Sequence, residues 1–313
     1  MSGAGPSMSP VEMTDAQRRT LEQLVGTGER PLFPQDLSRR LRDRIEGALR
    51  GLDLSGQLWL GKSALNDHDR CRGLFHAGVE GEAEPFAHSR KTATGRLFHK
   101  AIELDVAGRE DRDVYELART SVERLEDDGS FHDFWSELDV IEQDEIVMEG
   151  AKALDLFRAT FPPLRALRRQ LAPIPELPVR VELLGETLVL SGRVDLALGP
   201  LQPPRGTRLL LDMKSQGAWP EYPQDMRFYG LAHTLRFGVP PYRVATFFLE
   251  SGSWQAEDVT EEILDKAADR VVAAARSAGA LAAGRTPDLS PGAWCGWCPR
   301  RTACPASAAP ETS

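Results

Sequence analysis

Cysteine is scarce in this 313-residue chain, four residues in all, and no apolar run approaches the length of a bilayer span. The second absence sets transmembrane function classes aside. There is no internal repeat, which excludes solenoids and propellers. The first fifteen residues are rich in Ser, Gly, Pro and Met but lack a basic-then-apolar leader pattern, so the expectation is a disordered tail on a cytoplasmic protein. Cysteines that do not fall into matched pairs agree with a reducing compartment. A net charge of −9 argues against broad, non-specific coating of nucleic acid, although acids gathered in a site contribute to that count. The 41% hydrophobic and 27% charged fractions are those of an ordinary globular protein, long enough to bury a substantial core.

The few cysteines are placed unevenly. Cys71 stands alone, while Cys295, Cys298 and Cys304 crowd together in C-G-W-C-P-R-R-T-A-C. Disulfides need pairs, and zinc ribbons or fingers usually supply their ligands two by two. A one-plus-three set suits a cluster held by four thiolates, such as [4Fe–4S]. Such a centre would join the two ends of the fold. Treated as a cross-link, it would remove roughly 5 kcal/mol of unfolded-state entropy.

Between the cysteines the texture changes along the chain. Residues 14–24 and 36–52 read as helices with apolar positions three or four apart, punctuated by Pro31 and Pro34. The second carries Arg39, Arg40, Arg42 and Arg44, which read as a solvated face before they read as phosphate contacts. A helix beginning at Ser63 carries 67–75, a polar loop covers 78–91, and 94–106 is helical. A long helical region, 113–169, breaks near 127–132. Residues 179–184, 187–198 and 208–214 are β-like runs separated by Gly and Pro turns. Helix at 223–237, strand at 242–249 and an Ala-rich helix at 259–283 follow. This order predicts an α/β fold, a small mixed sheet flanked by helices.

Two strands carry the chemistry. Alternation at 187–198 puts Leu190, Val194, Leu196 and Leu198 on core parity with Gly192 at the gap, and Arg193 and Asp195 on the other face. In R-L-L-L-D-M-K, Leu209, Leu211 and Met213 share one face, and Asp212 and Lys214 project from the opposite one. If the two strands pair through the turn at 199–207, Asp195 approaches Asp212. Adjacent carboxylates repel, and a hard cation such as Mg²⁺ or Mn²⁺ resolves that. Lys214 would then stand at the cation's edge, able to orient water or neutralise charge on a phosphate. A lone D-x-K on a strand, by contrast, reads as a surface ion pair.

The pattern is not alone. L-S-G-R-V-D on one strand and D-M-K on the next resemble the PD-(D/E)XK nuclease superfamily. The likeness is closest to its RecB/AddB-like branch, which includes CRISPR-adaptation nucleases with an iron–sulfur cluster. That branch has a G-x-x-x-H helix, matched by G-R-L-F-H at 95–99, a C-P-x-x-F element echoed by C-R-G-L-F at 71–75, and a closing C-x-x-C-x-x-x-x-x-C. The resemblance covers about 63–305. It implies a restriction-endonuclease-like sheet and divalent-metal hydrolysis of DNA by Asp195, Asp212, Lys214 and His99. The cation ligands it implies are His99, Asp195, Asp212 and the Met213 carbonyl, with the cluster on Cys71, Cys295, Cys298 and Cys304. It also implies a role in repair, recombination or foreign-DNA processing, with a helicase or repair partner supplying the motor. Glu103, one helical turn after His99, is a supporting residue. Arg72 stands where the family has proline. The family's Gln-x-x-x-Tyr helix fits in either of two registers: aligned on Tyr229 the glutamine position is Asp225, and aligned on Gln224 the aromatic is Phe228.

The resulting domain expectation is a tail at 1–13, a helical N-terminal extension at 14–62, a nuclease domain at 63–305 and a tail at 306–313. Two other functions compete. G-Q-L-W-L-G-K-S at 56–63 fits a P-loop formula, but no clear apolar strand feeds it and Leu58, Trp59 and Leu60 would crowd a phosphate cradle. The plainer reading is a strand-like entry into the helix bearing Cys71, capped by Ser63. The other rival is a non-catalytic iron–sulfur nucleic-acid-binding protein with a vestigial nuclease core.

Overall fold

The apolar runs at 179–214 become the centre of a mixed sheet in the computed structural model, which describes residues 11–214 and 219–306. Its strands are β1 (Leu58–Leu60), β2 (Ile174–Leu183), β3 (Leu188–Leu198), β4 (Leu209–Lys214), β5 (Arg243–Phe248) and β6 (Ser253–Asp258). Around them lie α1 (Asp15–Arg19), α2 (Leu37–Ala48), α3 (Lys62–Arg70), α4 (Arg72–Val79), α5 (Arg90–Ala107), α6 (Val114–Leu125), α7 (Gly129–Ser136), α8 (Val140–Thr160), α9 (Arg168–Leu171), α10 (Tyr222–Phe237) and α11 (Glu261–Ala282). The order across the sheet is β1-β3-β4-β5-β6, with β2 on the other edge of β3. The β1–β3 and β4–β5 pairs are parallel and the others antiparallel.

Both faces of the sheet are covered. Apolar residues of α2, α10 and α11 pack on one face with Leu190, Val194 and Leu210. Phe98, Ala101 and Ile102 of α5 and Leu154 and Phe157 of α8 pack on the other, against Leu196, Leu209, Leu211 and Met213. The helix carrying His99 forms because Ser89 accepts the N–H of Thr92 at its start, and because Leu97, Phe98, Ala101 and Ile102 give it one apolar stripe. No helix among the described residues is long and apolar enough to cross a membrane.

Several expectations change. The helix expected over 63–75 is broken at Cys71, whose extended backbone ends α3 and starts α4; Gly61, not Ser63, occupies the N-cap. The break expected near 127–132 holds the start of α7, where Asp128 accepts the N–H of Phe131. The edge strand β6 was not expected, because S-W-Q-A-E-D has no apolar face of its own and is held by its ladder to β5. Helix α2 shares the main core: its Leu37, Leu41 and Ile45 are buried in it. The α2 arginines are ion-paired, Arg40 to Glu261 and Arg44 to Asp269, as a solvated face requires. Val11 and Met13, assigned to a tail, pack against the second core cluster, while residues 1–10 and 307–313 of the expected tails lie outside the described residues.

Alternation along β3 also slips. Leu190 and Val194 join one core cluster, while Leu196 and Leu198 join the other, so the four do not share a face. Across the ladder from the slip is Glu176, with Pro175 opposite Leu196 and Leu177 opposite Val194. Its backbone is left-handed (φ 52°), a conformation that interrupts the pleat.

Candidate active site

One edge of β3 belongs to β2 throughout. The other edge is shared: β1 pairs with Leu188, Val189 and Leu190, and β4 with Leu196, Ala197 and Leu198. Residues 191–195 face a notch between the two. The chain leaves β1 through Gly61, where a Cβ would stand 3.0 Å from the Ser191 carbonyl oxygen, and α3 opens with Lys62 pointing into the notch. Continuing the β3–β4 register would set Asp195 across from Asp212, but the ladder stops one rung earlier. The Asp195 carboxylate replaces the missing rung, with Oδ2 accepting the Met213 N–H at 2.6 Å.

Asp212 is held between two ammonium groups. Lys62 Nζ is 3.0 Å from Oδ1 and Lys214 Nζ 2.5 Å from Oδ2, while the carboxylate itself is 2% exposed. Burial opposes its charge, but the two lysines prevail and hold its pKa below the usual carboxylate value. Asp195 goes the other way: burial, then repulsion from Asp212, raises it well above the ordinary range. Two neighbouring carboxylates pushed in opposite directions are a strong local signal of a site built for charge. For Lys62, burial disfavours the ammonium, yet Asp212 and its neighbours raise its pKa overall. Its ammonium also lies 5.3 Å from the Tyr229 ring centroid. Tyr229 can lie there because residue 192 is glycine: a Cβ would meet Tyr229 Cε1 at 2.7 Å.

His99 reaches the same place from the opposite layer. Its Nδ1 is 3.6 Å from Asp195 Oδ1 and 3.7 Å from Glu176 Oε1, and it is buried with no hydrogen-bond partner among the described residues. Burial lowers its pKa to about 4, so the imidazole is neutral at neutral pH, the state that ligates metal. One ligand atom each from His99, Glu176 and Asp195 lies within 4.8 Å of the others, the sole such trio of metal-ligating side chains among the described residues. An orphaned ring nitrogen facing two carboxylates fits a divalent cation.

The other expected residues are dispersed. Glu103 turns to Lys100 (2.5 Å). Gln224 is exposed, with only its backbone carbonyl accepting from Arg270, whereas Asp225 is buried and accepts from Asn66 at 2.9 Å. Asp225 and Tyr229 thus lie inward together, in the register that puts aspartate where the family has glutamine. Lys62 and Glu176 were missed. Lys62 was visible only inside the P-loop formula, which β1 excludes by turning Leu58–Leu60 into a strand paired with β3. Glu176, in I-P-E-L-P, offers no local signal; its position depends on strand pairing.

The four cysteines line one cavity of about 520 Å³ at the other end of α3, with Leu289, Pro291 and Trp294 among its walls. Burial and the three neighbouring cysteines raise the Cys298 thiol above its ordinary value. The N–H groups of Ser290 and Gly292 point at Cys71 and Cys295 Sγ, both at 3.5 Å. Arg300 ties the segment to Glu80 and Glu82, just beyond α4. Four thiols around one cavity, two of them receiving backbone N–H groups, fit a thiolate-held centre.

No curated protein sequence matches this chain. Among solved structures, one described as "Crystal structure of SSO0001" matches at 14% identity over 69% of this chain and 98% of its own, with a TM-score of 0.30. A family model of the PD-(D/E)XK nuclease superfamily matches residues 60–305, from the end of β1 to just past Cys304. With most of its length so matched, and with D-M-K on β4 beside the Asp195 strand, the chain belongs to the PD-(D/E)XK nuclease superfamily.

Proposed function

We propose that this protein is a divalent-metal-dependent deoxyribonuclease, acting as an exonuclease in DNA repair, recombination or foreign-DNA processing. The observation that carries this reading is the orphaned His99 Nδ1 facing the Asp195 carboxylate, beside the Asp212–Lys214 pair. A bound Mg²⁺ or Mn²⁺ would supply a more acidic water and a polarised phosphate. The chain's own groups do the rest. Asp195 keeps one oxygen on the Met213 N–H and offers the other to the notch. Lys214, anchored on Asp212, orients the attacking water and balances charge building on the scissile phosphate. Lys62 gives Asp212 a second counter-charge, so the carboxylate stays ionised in a buried place.

The cysteine cavity holds a [4Fe–4S] cluster in this reading, fixing the C-terminal segment to the α3–α4 junction. A helicase or repair partner supplies DNA unwinding in a cytoplasmic setting. Purified protein incubated with single- and double-stranded DNA ends, with Mg²⁺, Mn²⁺ or chelator, tests the nuclease reading. Metal-dependent release of nucleotides that Lys214→Ala abolishes is the expected result. Cleavage indifferent to chelator, or undiminished in the variant, overturns it. For the cluster, about four iron and four sulfide per chain are expected from anaerobic preparation. Stoichiometric zinc without sulfide overturns that assignment.

A further inference from the structure

We infer that Glu176 is a further ligand of the catalytic cation, completing a set with His99 and Asp195. This deepens the nuclease reading and rests on it. Glu176 Oε2 is taken by arginines, 3.3 Å from Arg193 and 3.7 Å from Arg96, which leaves Oε1 toward His99 Nδ1 at 3.7 Å. Asp195 Oδ2 is taken by the Met213 N–H, which leaves Oδ1 toward the same nitrogen at 3.6 Å. Each carboxylate therefore keeps one oxygen fixed and presents the other to one point, where a buried ring nitrogen without a hydrogen-bond partner among the described residues also aims. Adjacent ligands of a six-coordinate Mg²⁺ stand about 3 Å apart, so small side-chain shifts would close the set around an ion.

The backbone supports the assignment of Glu176: it lies across the β2–β3 ladder from Asp195, and its left-handed φ of 52° is a conformation side chains seldom adopt without a constraint.

Calorimetric titration of Mn²⁺ into the full chain, without DNA, tests this directly. Glu176→Gln preserves shape and a hydrogen-bond acceptor for the arginines, and should weaken Mn²⁺ binding by about tenfold or more. Glu176→Asp keeps the charge but withdraws it by one methylene, and should also weaken binding; it decides the matter by the same criterion if the glutamine variant does not fold. Mn²⁺ affinity equal to wild type in a folded variant would reduce Glu176 to an arginine partner and overturn the inference, as would a wild type that binds no Mn²⁺. DNA cleavage is scored separately. A wild type that binds Mn²⁺ through Glu176 but cuts nothing sinks the nuclease reading alone, and normal cleavage with unchanged Glu176→Gln affinity sinks this inference alone.

Discussion

The acidic notch and the cysteine corner both gather residues from distant stretches of chain, but they are built in opposite ways. The notch is framed by strands. Asp195 and Asp212 sit on β3 and β4, within a sheet whose both faces are buried, and their charges are balanced by Lys62, Lys214 and a backbone N–H. The corner is framed by loops. Cys295 and Cys298 lie on and beside a single 3₁₀ turn, Ala293–Trp297, that contains no buried residue, Cys304 follows on further turns, and Trp297 is 60% exposed. Arg300 bonds to Glu80 and Glu82, the Ser290 N–H points at Cys71 Sγ, and the Arg70 guanidinium lies 5.8 Å from the Trp297 ring centroid. Ordinary packing can hold the first arrangement, whereas the proposed thiolate-held centre would hold the second.

The largest expected effect strikes the notch. Asp212→Asn should reduce cleavage by roughly 10³-fold or more, as loss of a preorganised charged group does. DNA binding, followed by fluorescence anisotropy, should survive or tighten as repulsion from phosphate falls. Lys214→Ala should lose cleavage similarly while leaving Mn²⁺ binding nearly intact, because an ammonium is not a ligand. Full activity in both variants would mean the chemistry lies elsewhere.

Cys298→Ala should instead act on stability, removing up to ~5 kcal/mol on the cross-link estimate along with the iron. Denaturant unfolding under anaerobic conditions measures this, and the remaining folded fraction should keep the wild-type dependence on divalent metal. A variant as stable as wild type would show that the corner, like the notch, needs no bound centre to hold it.

A smaller effect is expected at the notch's packing. Gly192→Ala brings a methyl group to within 2.7 Å of the Tyr229 ring and should cost about 1–3 kcal/mol. Trimming the ring with Tyr229→Ala should make the second substitution nearly silent, a coupling a double-mutant cycle reads out. Additive losses would mean that the two residues do not press on each other.

The smallest effect is one of sign. In chelator-treated protein Asp195 has a folded pKa well above 3.8, so the fold binds a proton that the unfolded chain has already released, and stability falls as pH rises from 3.8 through the folded value. Asp195→Asn keeps an acceptor for the Met213 N–H and removes that slope, so it should raise the neutral-pH Tm by a few degrees, at about 2–4 °C per kcal/mol. His99 has the opposite sign. Its pKa of about 4 lies below the ordinary 6.5, so stability is present above 6.5 and lost as pH falls toward 4. Thermal melts of wild type, Asp195→Asn and His99→Gln across pH 4–8 separate the two slopes. A destabilised Asp195→Asn protein at neutral pH would contradict the strained-carboxylate account.

Much of the fold was legible because apolar period reports burial: β3, β4, β5, α10 and α11 lie close to where the runs placed them. The misses share a cause. Cys71 breaks a helix that the pattern alone would continue, β6 exists only through its neighbour, and the slip between Val194 and Leu196 depends on a left-handed Glu176 across the ladder. Within the site, the D-M-K strand and G-R-L-F-H helix carried their own signals. Lys62 was hidden in the wrong formula, and Gln224 was one helical position away from the buried Asp225.

By itself the sequence determined the kinds of groups and their order: a solitary cysteine, a histidine helix, an aspartate strand, a D-x-K strand, and three cysteines near the end. Those are properties of local chemistry and spacing, and they need no partner to be read. The tertiary structure decided the pairings. Lys62 meets Asp212, 150 positions along the chain, because β1 and β4 share one edge of β3. Glu176 meets His99 because β2 lies along the other edge, with α5 packed against it. A charge's effect depends on which charges lie within a few ångströms, and strand pairing and layer packing set those distances.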